Sequence, residues 1–371
     1  MPNAKLTNCH IAVIGGGING VMSAWALQES GAQVMLFEAK ELMSQTSAAS
    51  TKMLHGGLRY LANGQVGLVK ESLQERRWWM VHRTSLARPT PILLPCRKQL
   101  WSEVIKLGLG VKVYDFLARH SGFSKSRWMG KAEMEKQFPK LRCEDLCGGW
   151  LYWDGQMNDA ALGLWAAEQA VKAGVQIREH TEVGQIASDG TVQVNGRTEH
   201  YDMVVNAAGP WAEQLLKQSG ILPKGGLMLV RGSHLIIDRH LEVGLALPQT
   251  RNRLVFCLSF EGKTLLGTTE VEQSIDEPIA VSPAERAELL ECYNKWFTDP
   301  ISQDQILREF AGLRPLIRQP GASLSRASRE SCLEINDRLI TIWGGKWTTA
   351  RLQGLAAKNA CIEVLQKITR T

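Results

Sequence analysis

Residues 10–38 read HIAVIGGGINGVMSAWALQESGAQVMLFE. The apolar run IAVIG is typical of a buried parallel strand, the small-residue pattern after it is helical, and VMLFE indicates a second strand. Gly15, Gly17 and Gly20 lie between the first strand and the helix with the spacing G-x-G-x-x-G. In such a unit the first glycine permits a tight turn, the second lets a pyrophosphate approach, and the third lets the helix pack on the strand. The stretch therefore predicts a βαβ unit that binds a dinucleotide.

The ends of this unit carry further nucleotide-binding features. The helix begins near Ile18 and Asn19, where backbone N–H groups and partial positive charge favour a phosphate. Glu38 and Ala39 follow the second strand, where a carboxylate can accept hydrogen bonds from a ribose. A strand, a helix, a second strand and a terminal acid together favour a nucleotide site over a merely structural turn.

The later sequence favours FAD over a nicotinamide cofactor. A nicotinamide enzyme usually continues from Glu38 into another βα unit, whereas residues 46–61 read TSAASTKMLHGGLRYL, a stretch rich in hydroxyl and small side chains. Residues 201–215, YDMVVNAAGPWAEQL, indicate a buried strand that ends in small residues before a helix. A last strand and helix follow over 338–366, with a Gly-Gly pair that can place N–H groups beside a ligand. Strands that return to the nucleotide so late in the chain fit a large flavin-binding fold.

Composition excludes several classes of protein. The chain has 371 residues, of which 44% are hydrophobic and 22% charged, as is ordinary for a globular protein with room for two domains. No run of about 18 apolar residues predicts a spanning helix, and the N-terminus lacks a cleavable signal pattern. The eight cysteines are scattered, with Cys143 and Cys147 as the one close pair, so we expect reduced thiols and no metal site. These features predict a cytoplasmic location.

The positive charge is concentrated in one segment. The whole chain has a formal net charge of +6, and residues 97–142 hold eleven Lys and Arg against four Asp and Glu. The aromatic residues interleaved with these cations are Trp101, Tyr114, Phe116, Phe123 and Trp128. Such a segment could rest as a peripheral contact on the inner face of the cytoplasmic membrane, or could be the solvated face of an accessory subdomain. No nucleic-acid recognition motif accompanies the charge, so we expect no nucleic-acid partner.

A series of segments, in order along nearly the whole chain, resembles the FAD-dependent glycerol-3-phosphate dehydrogenases of the glycine/D-amino-acid oxidase-like flavoprotein superfamily. The matching segments are VIGGGINGVMSAWAL, TSAASTKMLHGGLRYL, YWDGQMNDAAL, VVNAAGPWAEQL, VRGSHLII, KTLLGTTE, FAGLRPLI, the pair Ser325-Arg326, and WGGKWTTAR. GGLRYL, RGSH and GGKWTT are specific beyond the flavin fold itself. The sequence departs from the family at Trp347, which is more often Leu, and in YWDGQMNDA. It also ends one helix after GGKWTT, where the family usually continues into a helical C-terminal domain.

The resemblance implies an α/β fold of mixed α+β character, in which a Rossmann-like FAD-binding domain is interleaved with a mixed-sheet substrate-binding domain. We assign 1–85, 158–222 and 330–371 to the FAD-binding domain. We assign 86–157 and 223–329 to the substrate-binding domain.

Strand and helix patterns fit this division. Strand patterns expected to roof the flavin are GGWLYWDGQ, LMLVRGSHLIID, RLVFCLS and KTLLGTT. Helical patterns cover 67–82 and 285–297. The side chains expected to serve packing on these two helices are Trp78, Trp79, Leu289, Leu290 and Trp296.

In the family the stretch 46–61 wraps the flavin and its pyrophosphate arm. Ser47, Ser50 and Thr51 are therefore expected to donate to flavin or phosphate oxygens, and Lys52 to add positive charge near them. By itself the stretch also reads as a Ser/Thr-capped helix start. The resemblance implies noncovalent FAD, although some superfamily relatives tether flavin through a His near the position of His55. The cofactor-binding residues that it implies are Gly15, Gly17, Ile18, Asn19, Gly20, Glu38, Ala39, Thr46, Ser47, Ser50, Thr51, Lys52, Leu54, His55, Val183, Ala207, Ala208, Gly209, Trp211, Gly345, Lys346, Trp347 and Thr348.

The resemblance also implies a phosphate-bearing substrate, sn-glycerol 3-phosphate. A phosphomonoester dianion calls for several cations, preferably the forked guanidinium of Arg. The residues implied around it are the cations Arg59, Arg314, Arg326 and Lys346 and the neutral donors Tyr60 and Thr348, with Arg329 as a competitor for the role of Arg326. Each cation alone reads as a surface ion-pair residue. The positions of these four cations in four matching motifs are what favours a phosphate site over surface ion pairs.

The catalytic residues implied are His234, Arg314 and Lys346. His234 lies in the strand-like run VRGSHLII and is the candidate base for the C2 hydroxyl, while hydride leaves C2 for flavin N5. Lys346 or Arg314 would stabilise the negative charge that develops. The product implied is dihydroxyacetone phosphate, and the electrons pass to quinone or another acceptor.

Three alternatives stay open. An amine or amino-acid oxidase of the same fold needs a carboxylate clamp, often one Arg with a Tyr, and four cations favour phosphate over that clamp. Oxygen in place of quinone would make the protein an oxidase. A flavin-binding module without turnover is a third reading, against which the set His234, Arg59, Arg314 and Lys346 argues.

Overall fold

The computed structural model describes residues 6–62, 64–98, 101–250, 253–318 and 331–369. The strands are β1 His10–Ile14, β2 Gln33–Phe37, β3 Met53–Leu54, β4 Ala87–Arg97, β5 Arg127–Gly130, β6 Leu146–Met157, β7 Gln176–Arg178, β8 Val183–Ile186, β9 Thr191–Val194, β10 Arg197–His200, β11 Met203–Asn206, β12 Leu227–Ile237, β13 Gly244–Thr250, β14 Arg253–Phe260, β15 Lys263–Gly267, β16 Val271–Glu272, β17 Ile306–Ile317, β18 Ser331–Asn336 and β19 Leu339–Gly344. The α-helices are α1 Ile18–Glu29, α2 Leu58–Ala62, α3 Val66–His82, α4 Trp101–Leu117, α5 Lys131–Gln137, α6 Asp159–Ala173, α7 Ala212–Gln218, α8 Pro283–Trp296 and α9 Ala350–Ile368.

The predicted βαβ unit lies within a six-stranded sheet of order β18-β19-β11-β1-β2-β7. β1 runs parallel to β2 and to β11, and β11 runs parallel to β19. β7 is also parallel to its neighbour, whereas β18 is antiparallel. The strands predicted within 201–215 and 338–366 therefore return to the nucleotide-binding unit, and the predicted α/β fold class is confirmed.

Both faces of this sheet are covered, because successive side chains of a strand point to opposite faces. Ile11 and Val13 of β1 belong to a core that includes residues of α1, α6 and α9. Ala12 and Ile14 belong to a second core on the other face, with α7 and the strands β8 and β9 of a three-stranded antiparallel sheet. Burial on both faces explains why IAVI is apolar at every position.

The second large sheet has ten strands and is mixed. Its order is β16-β12-β15-β14-β13-β4-β6-β3, with β17 paired to β12 and β5 paired to β6. β4 and β13 run parallel, whereas β12 is antiparallel to β15 and to β17. The four strands predicted to roof a cofactor are β6, β12, β14 and β15 of this sheet. The assignment of 86–157 and 223–329 to one domain stays a prediction.

The two predicted helices form as α3 and α8. Leu289, Leu290 and Trp296 of α8 are buried, as expected for core residues. On α3, Trp79 is fully buried and Trp78 is partly buried against the core around β1.

α8 is fixed to the ten-stranded sheet through the buried carboxylate of Glu285. Glu285 and Ser282 form a capping box at the start of the helix. Oε1 of Glu285 accepts hydrogen bonds from Ser233 Oγ (2.8 Å) and Thr269 Oγ1 (2.7 Å), and Arg231 forms a 2.8 Å salt bridge with Oε2. Burial alone raises the pKa of Glu285, but the hydrogen bonds outweigh burial and lower the pKa to about 2. The carboxylate is therefore charged at neutral pH and holds α8 on β12.

Candidate active site

A cavity of about 1960 Å³ is lined by residues of both large sheets. On one side are Gly15, Ala207 and Gly345, which follow β1, β11 and β19. On the other side are Tyr152 of β6 and Arg314 of β17. Open α/β sheets bind ligands at the carboxyl ends of their strands, and the usual small-molecule pocket is roughly 300–1,000 Å³. The cavity therefore has room for a large cofactor and a second small molecule.

The glycine-rich turn brings backbone to one end of the cavity. Gly15 has φ +104°, and a Cβ at that position would lie 2.6 Å from the carbonyl oxygen of Ala207. A Cβ at Gly20 would overlap the carbonyl oxygen of Gly15, so Gly20 lets α1 sit tightly against the turn. Gly17 is the N-cap of α1 and lines the cavity with Ile18. The N-terminus of α1 thus faces the cavity, where N–H groups and partial positive charge favour phosphate.

Glu38 follows β2 and lines the same end of the cavity. Its carboxylate accepts hydrogen bonds from the backbone N–H groups of Gly16 (2.5 Å) and Lys40 (2.8 Å). The backbone therefore holds the carboxylate at the cavity wall, where Ala39 and Val183 also lie.

The polar stretch 46–55 crosses the cavity wall and is anchored from behind by Asp159, the first residue of α6. Oδ2 of Asp159 accepts hydrogen bonds from the backbone N–H of Ser50 (3.0 Å) and from its hydroxyl (2.7 Å). Lys52 Nζ forms a 2.5 Å salt bridge with Oδ1 and donates to the carbonyl of Ala48 at 2.6 Å. Lys52 is 6% exposed and does not line the cavity. Its charge is paired with Asp159 and fixes the stretch, and its contribution to cofactor binding stays a prediction.

Thr51 connects the cavity to the buried ring of His234. Thr51 lines the cavity, and its Oγ1 lies 3.0 Å from His234 Nε2. His234 is fully buried, stacks on Phe310 with 4.8 Å between ring centroids, and does not itself line the cavity. Burial, with the positive charges of Arg314 and Lys52, lowers the pKa of His234 well below its ordinary value. The imidazole is therefore neutral at physiological pH and can accept a proton.

Two cations and a phenol meet the cavity near this point. Lys346 Nζ donates to the carbonyl of His55 at 2.7 Å and lies 5.3 Å from the ring centroid of Tyr60. Arg314 Nη2 donates to Thr268 Oγ1 at 2.7 Å. The buried hydroxyl of Tyr60 has no hydrogen-bond partner among the described residues. A buried polar group in that condition points to a ligand atom that completes it.

Asp154 is a buried acid at the cavity wall that was not among the predicted site residues. Asp154 lines the cavity, accepts a 2.6 Å hydrogen bond from Arg76 Nη1 and a 2.8 Å bond from the Tyr114 hydroxyl. The same hydroxyl accepts a 2.7 Å bond from the backbone N–H of Gly56. Burial raises the pKa of Asp154, and the neighbouring Arg76 opposes that rise. The network holds the Gly-Gly turn that precedes Tyr60.

The turn after β19 closes the site on the stretch 46–55. The indole N–H of Trp347 donates to the carbonyl of Ser47 at 3.0 Å, and Thr348 Oγ1 accepts from the backbone N–H of His55 at 3.3 Å. Trp79 of α3 donates from behind to the carbonyl of Thr348 at 3.0 Å. The late Gly-Gly segment and the early polar stretch thus form one wall.

Most of the site residues expected from sequence line this cavity. They are Gly15, Gly17, Ile18, Asn19, Glu38, Ala39, Thr46, Ser47, Ser50, Thr51, His55, Tyr60, Val183, Ala207, Ala208, Gly209, Trp211, Arg314, Gly345, Lys346, Trp347 and Thr348. Those that lie behind the wall are Gly20, Lys52, Leu54 and His234. The side chain of Arg59, and Arg326 with its competitor Arg329, lie outside the described residues. The segment YWDGQMNDAAL, which resembled the family, contains both acids that sequence reasoning did not assign, Asp154 and Asp159.

The family model described as FAD dependent oxidoreductase matches residues 10–351. The chain belongs to the FAD-dependent oxidoreductase family. The predicted cofactor, FAD, is therefore confirmed for this oxidoreductase. The site also fits FAD. The N-terminus of α1 faces the cavity, the glycines of the turn leave no room for a Cβ, and Glu38 is held at the cavity wall. That the FAD is noncovalent stays a prediction.

Similar proteins carry a more specific name. The oxidoreductase is 32% identical over 382 residues to the mitochondrial glycerol-3-phosphate dehydrogenase SDP6 of Arabidopsis thaliana. The alignment covers 95% of this chain and 60% of that protein. The oxidoreductase is 31% identical to the aerobic glycerol-3-phosphate dehydrogenase of Staphylococcus aureus, with 94% and 66% covered. A solved structure of glycerol-3-phosphate dehydrogenase from Bacillus halodurans complexed with FAD superposes with a TM-score of 0.76 at 26% identity, covering 98% of this chain and 66% of that one. The oxidoreductase thus spans about three fifths to two thirds of these relatives.

Proposed function

We propose that this oxidoreductase oxidises sn-glycerol 3-phosphate to dihydroxyacetone phosphate with noncovalent FAD. The observation that carries the proposal is that Arg314, Lys346 and Tyr60 line the cavity that Thr51 also lines, and that the Tyr60 hydroxyl has no hydrogen-bond partner among the described residues. Two cations and a neutral donor suit a phosphomonoester dianion. The names of the similar proteins support the same substrate.

The chain's own residues then have distinct roles. FAD, when bound, supplies the two-electron acceptor. Arg314 and Lys346 bind the anion and stabilise negative charge as the alcohol loses its proton. The proton passes from the C2 hydroxyl to Thr51 Oγ1, while Thr51 gives its own proton to Nε2 of the neutral His234. Stacking on Phe310 keeps the imidazole in place for this transfer.

An anaerobic visible spectrum of the purified protein tests the proposal. We expect the flavin absorption bands to bleach on addition of sn-glycerol 3-phosphate and to stay unchanged with glycerol. In Arg314→Ala the concentration needed for half-bleaching should rise strongly for the phosphorylated substrate, and by much more than for any slow reaction with an unphosphorylated alcohol. Flavin bands that do not respond to sn-glycerol 3-phosphate would overturn the substrate assignment and leave the cofactor in place.

We propose quinone as the electron acceptor because part of the cavity lining is one hydrophobic cluster. The cluster includes Leu94, Leu107, Leu254 and Phe256. An apolar wall suits a lipid-soluble ring better than a polar acceptor. Enlarging the side chain at this wall with Leu107→Trp should abolish turnover with a short-chain quinone and leave anaerobic bleaching by substrate intact. Oxygen consumption as fast as quinone reduction in the wild-type protein would contradict the assignment.

We also propose that α4 rests on an anionic membrane surface. Ile105, Leu109 and Phe116 are 70%, 68% and 64% exposed, and their spacing puts them on one face of the helix. The exposed Lys106 and Arg119 suit anionic headgroups. No helix in the described ranges is long and apolar enough to cross a bilayer.

Co-sedimentation with liposomes tests the α4 contact. Lys112 is a poor probe, because its Nζ donates to the carbonyl of Ser126 at 2.6 Å. We expect Ile105→Glu/Leu109→Glu to lose binding to vesicles that contain anionic phospholipid, and Lys106→Glu to weaken it. The matched control is Leu222→Glu, because Leu222 is 91% exposed elsewhere on the surface. Equal binding by all variants would reject the contact.

A further inference from the structure

A continuous cluster of tryptophans joins the cavity to the protein surface. Trp347 lines the cavity, and its ring centroid lies 4.9 Å from that of the fully buried Trp79. Trp79 lies 4.9 Å from Trp78, and Trp78 lies 6.2 Å from Trp25 and 6.3 Å from Trp165. Trp78, Trp25 and Trp165 are partly exposed. The chain of rings therefore starts at the cavity, crosses the core and ends in contact with solvent.

Packing alone does not require tryptophan at these positions. Leu, Phe or Met would fill a core equally well, and an indole needs a partner for its N–H. That partner is present twice, because Trp347 donates to the carbonyl of Ser47 and Trp79 to that of Thr348. The sequence also departs from the family it resembles at Trp347, the residue that brings the chain of rings to the cavity.

We propose that Trp347, Trp79 and Trp78 form a path along which single electrons pass from the surface to photoexcited FAD. Indole is among the most easily oxidised side chains, and electron transfer falls steeply with distance, so rings in contact pass electrons in short steps. The path gives the protein a light-driven route to reduced FAD that needs no alcohol substrate. The proposal rests on FAD in the cavity and not on the identity of that substrate.

At the surface end of the path, oxidised Trp78 can take up an electron from a reductant in solution. Trp78 stacks on the exposed ring of His82 with centroids 4.2 Å apart, and the guanidinium of Arg351 lies 5.2 Å from the Trp78 ring. A cation beside an indole makes its oxidation harder, but Arg351 is paired with Glu75 at 2.6 Å, which offsets that charge. A small thiol in solution can therefore reduce the oxidised Trp78.

Each absorbed photon moves one electron along the path. Light absorbed by oxidised FAD removes one electron from Trp347, Trp79 refills Trp347, and Trp78 refills Trp79. A thiol then reduces Trp78. Two such events oxidise two thiols to one disulfide and release two protons, and FAD gains two electrons and two protons.

Blue light on the anaerobic FAD-bound protein, with dithiothreitol as the thiol and no alcohol present, tests the path. We expect steady bleaching of the flavin bands in the wild-type protein. Trp79→Phe should lose net photoreduction, because the electron taken from Trp347 then returns to Trp347 from the flavin. Trp78→Phe alone should slow photoreduction, because Trp79 also lies 6.3 Å from the partly exposed Trp165, and Trp78→Phe/Trp165→Phe should lose it. Flavin fluorescence should stay quenched in all three, because the first donor is intact. Trp347→Phe should lose photoreduction and become fluorescent.

A control variant and a check on FAD binding separate loss of the path from general damage to the protein. Trp128→Phe is the matched control, because Trp128 also contacts a second tryptophan, Trp150 at 5.5 Å, and is not part of the chain of rings. Co-elution of the flavin bands with the protein in size-exclusion chromatography shows that each variant is folded and holds FAD, and bleaching by dithionite in the dark shows that this FAD can be reduced. Photoreduction at the wild-type rate in Trp79→Phe or in Trp78→Phe/Trp165→Phe would overturn the path. Failure of sn-glycerol 3-phosphate to bleach the flavin in the dark would count against the proposed substrate only.

Discussion

The buried pair of Lys52 and Asp159 offers a quantitative test of how the site is built. Asp159→Asn removes the carboxylate and leaves Lys52 Nζ buried beside the rings of Phe310 and Phe260, at 4.9 and 5.7 Å from their centroids. Breaking a buried ion pair by removing one partner costs about 3–5 kcal/mol, because the remaining charge is uncompensated. A domain is stable by only about 5–15 kcal/mol. We therefore expect Asp159→Asn to lose a large part of the free energy of unfolding.

Urea unfolding followed by far-ultraviolet circular dichroism measures this loss. Lys52→Met alone should also destabilise, and the double variant Lys52→Met/Asp159→Asn should be less destabilised than the sum of the two, by about 0.5–3 kcal/mol. Because Asp159 also holds Ser50 through two hydrogen bonds, Asp159→Asn should bind FAD at least about tenfold more weakly.

The matched control is the surface pair Arg127–Glu133. Its N···O distance is 2.6 Å, but the two side chains are 50% and 46% exposed. Removing an exposed pair should cost less than about 1 kcal/mol. The prediction is refuted if Asp159→Asn lowers the free energy of unfolding by no more than removal of this exposed pair does. It is also refuted if the loss in the double variant equals the sum of the losses in the two single variants. In either case the Lys52–Asp159 pair does not hold the stretch 46–55.

Three further perturbations test other parts of the structure. Gly20→Ala should abolish FAD retention in size-exclusion chromatography, since its Cβ would overlap backbone, whereas Gly67→Ala, with no atom within 4 Å, should retain FAD. Thr51→Val should lower kcat by about 100-fold or more with little change in KM, and Thr51→Ser should restore it, if the hydroxyl moves a proton to His234. Glu285→Gln should destabilise by about 3–5 kcal/mol at neutral pH in urea titrations. The pKa of Glu285, about 2, lies below its ordinary value. Its stabilisation should therefore be present above about pH 4.5 and lost as the pH falls toward 2, a dependence that the Gln variant should lack.

Apolar runs and helix-capping residues predict individual strands and helices of this fold. IAVIG and VMLFE became β1 and β2 because continuous apolar runs suit strands buried on both faces. The pattern over 285–297 became α8, with Ser282 and Glu285 as its capping box.

Long-range pairing could not be predicted in the same way. The partner of Lys52 lies 107 positions along the chain, and that of Arg76 lies 78 positions along. Nothing in the sequence near Lys52 indicates that a carboxylate will pair with it, so the pairing with Asp159 cannot be predicted from the sequence. The complete burial of His234 behind Thr51 likewise depends on how β12 meets the early polar stretch.

The same buried cation links the stability of the site to its chemistry. Lys52 holds the stretch 46–55 through Asp159, and its charge is also one of the causes that lower the pKa of His234. Lys52→Met should therefore raise the pKa of His234 and move the acid limb of the kcat profile to higher pH. Asp159→Asn keeps the cation and should not move the limb upward, although both variants destabilise the fold. A limb that moves to higher pH in both variants would trace the shift to general loosening of the site and would exclude a direct charge effect of Lys52 on His234.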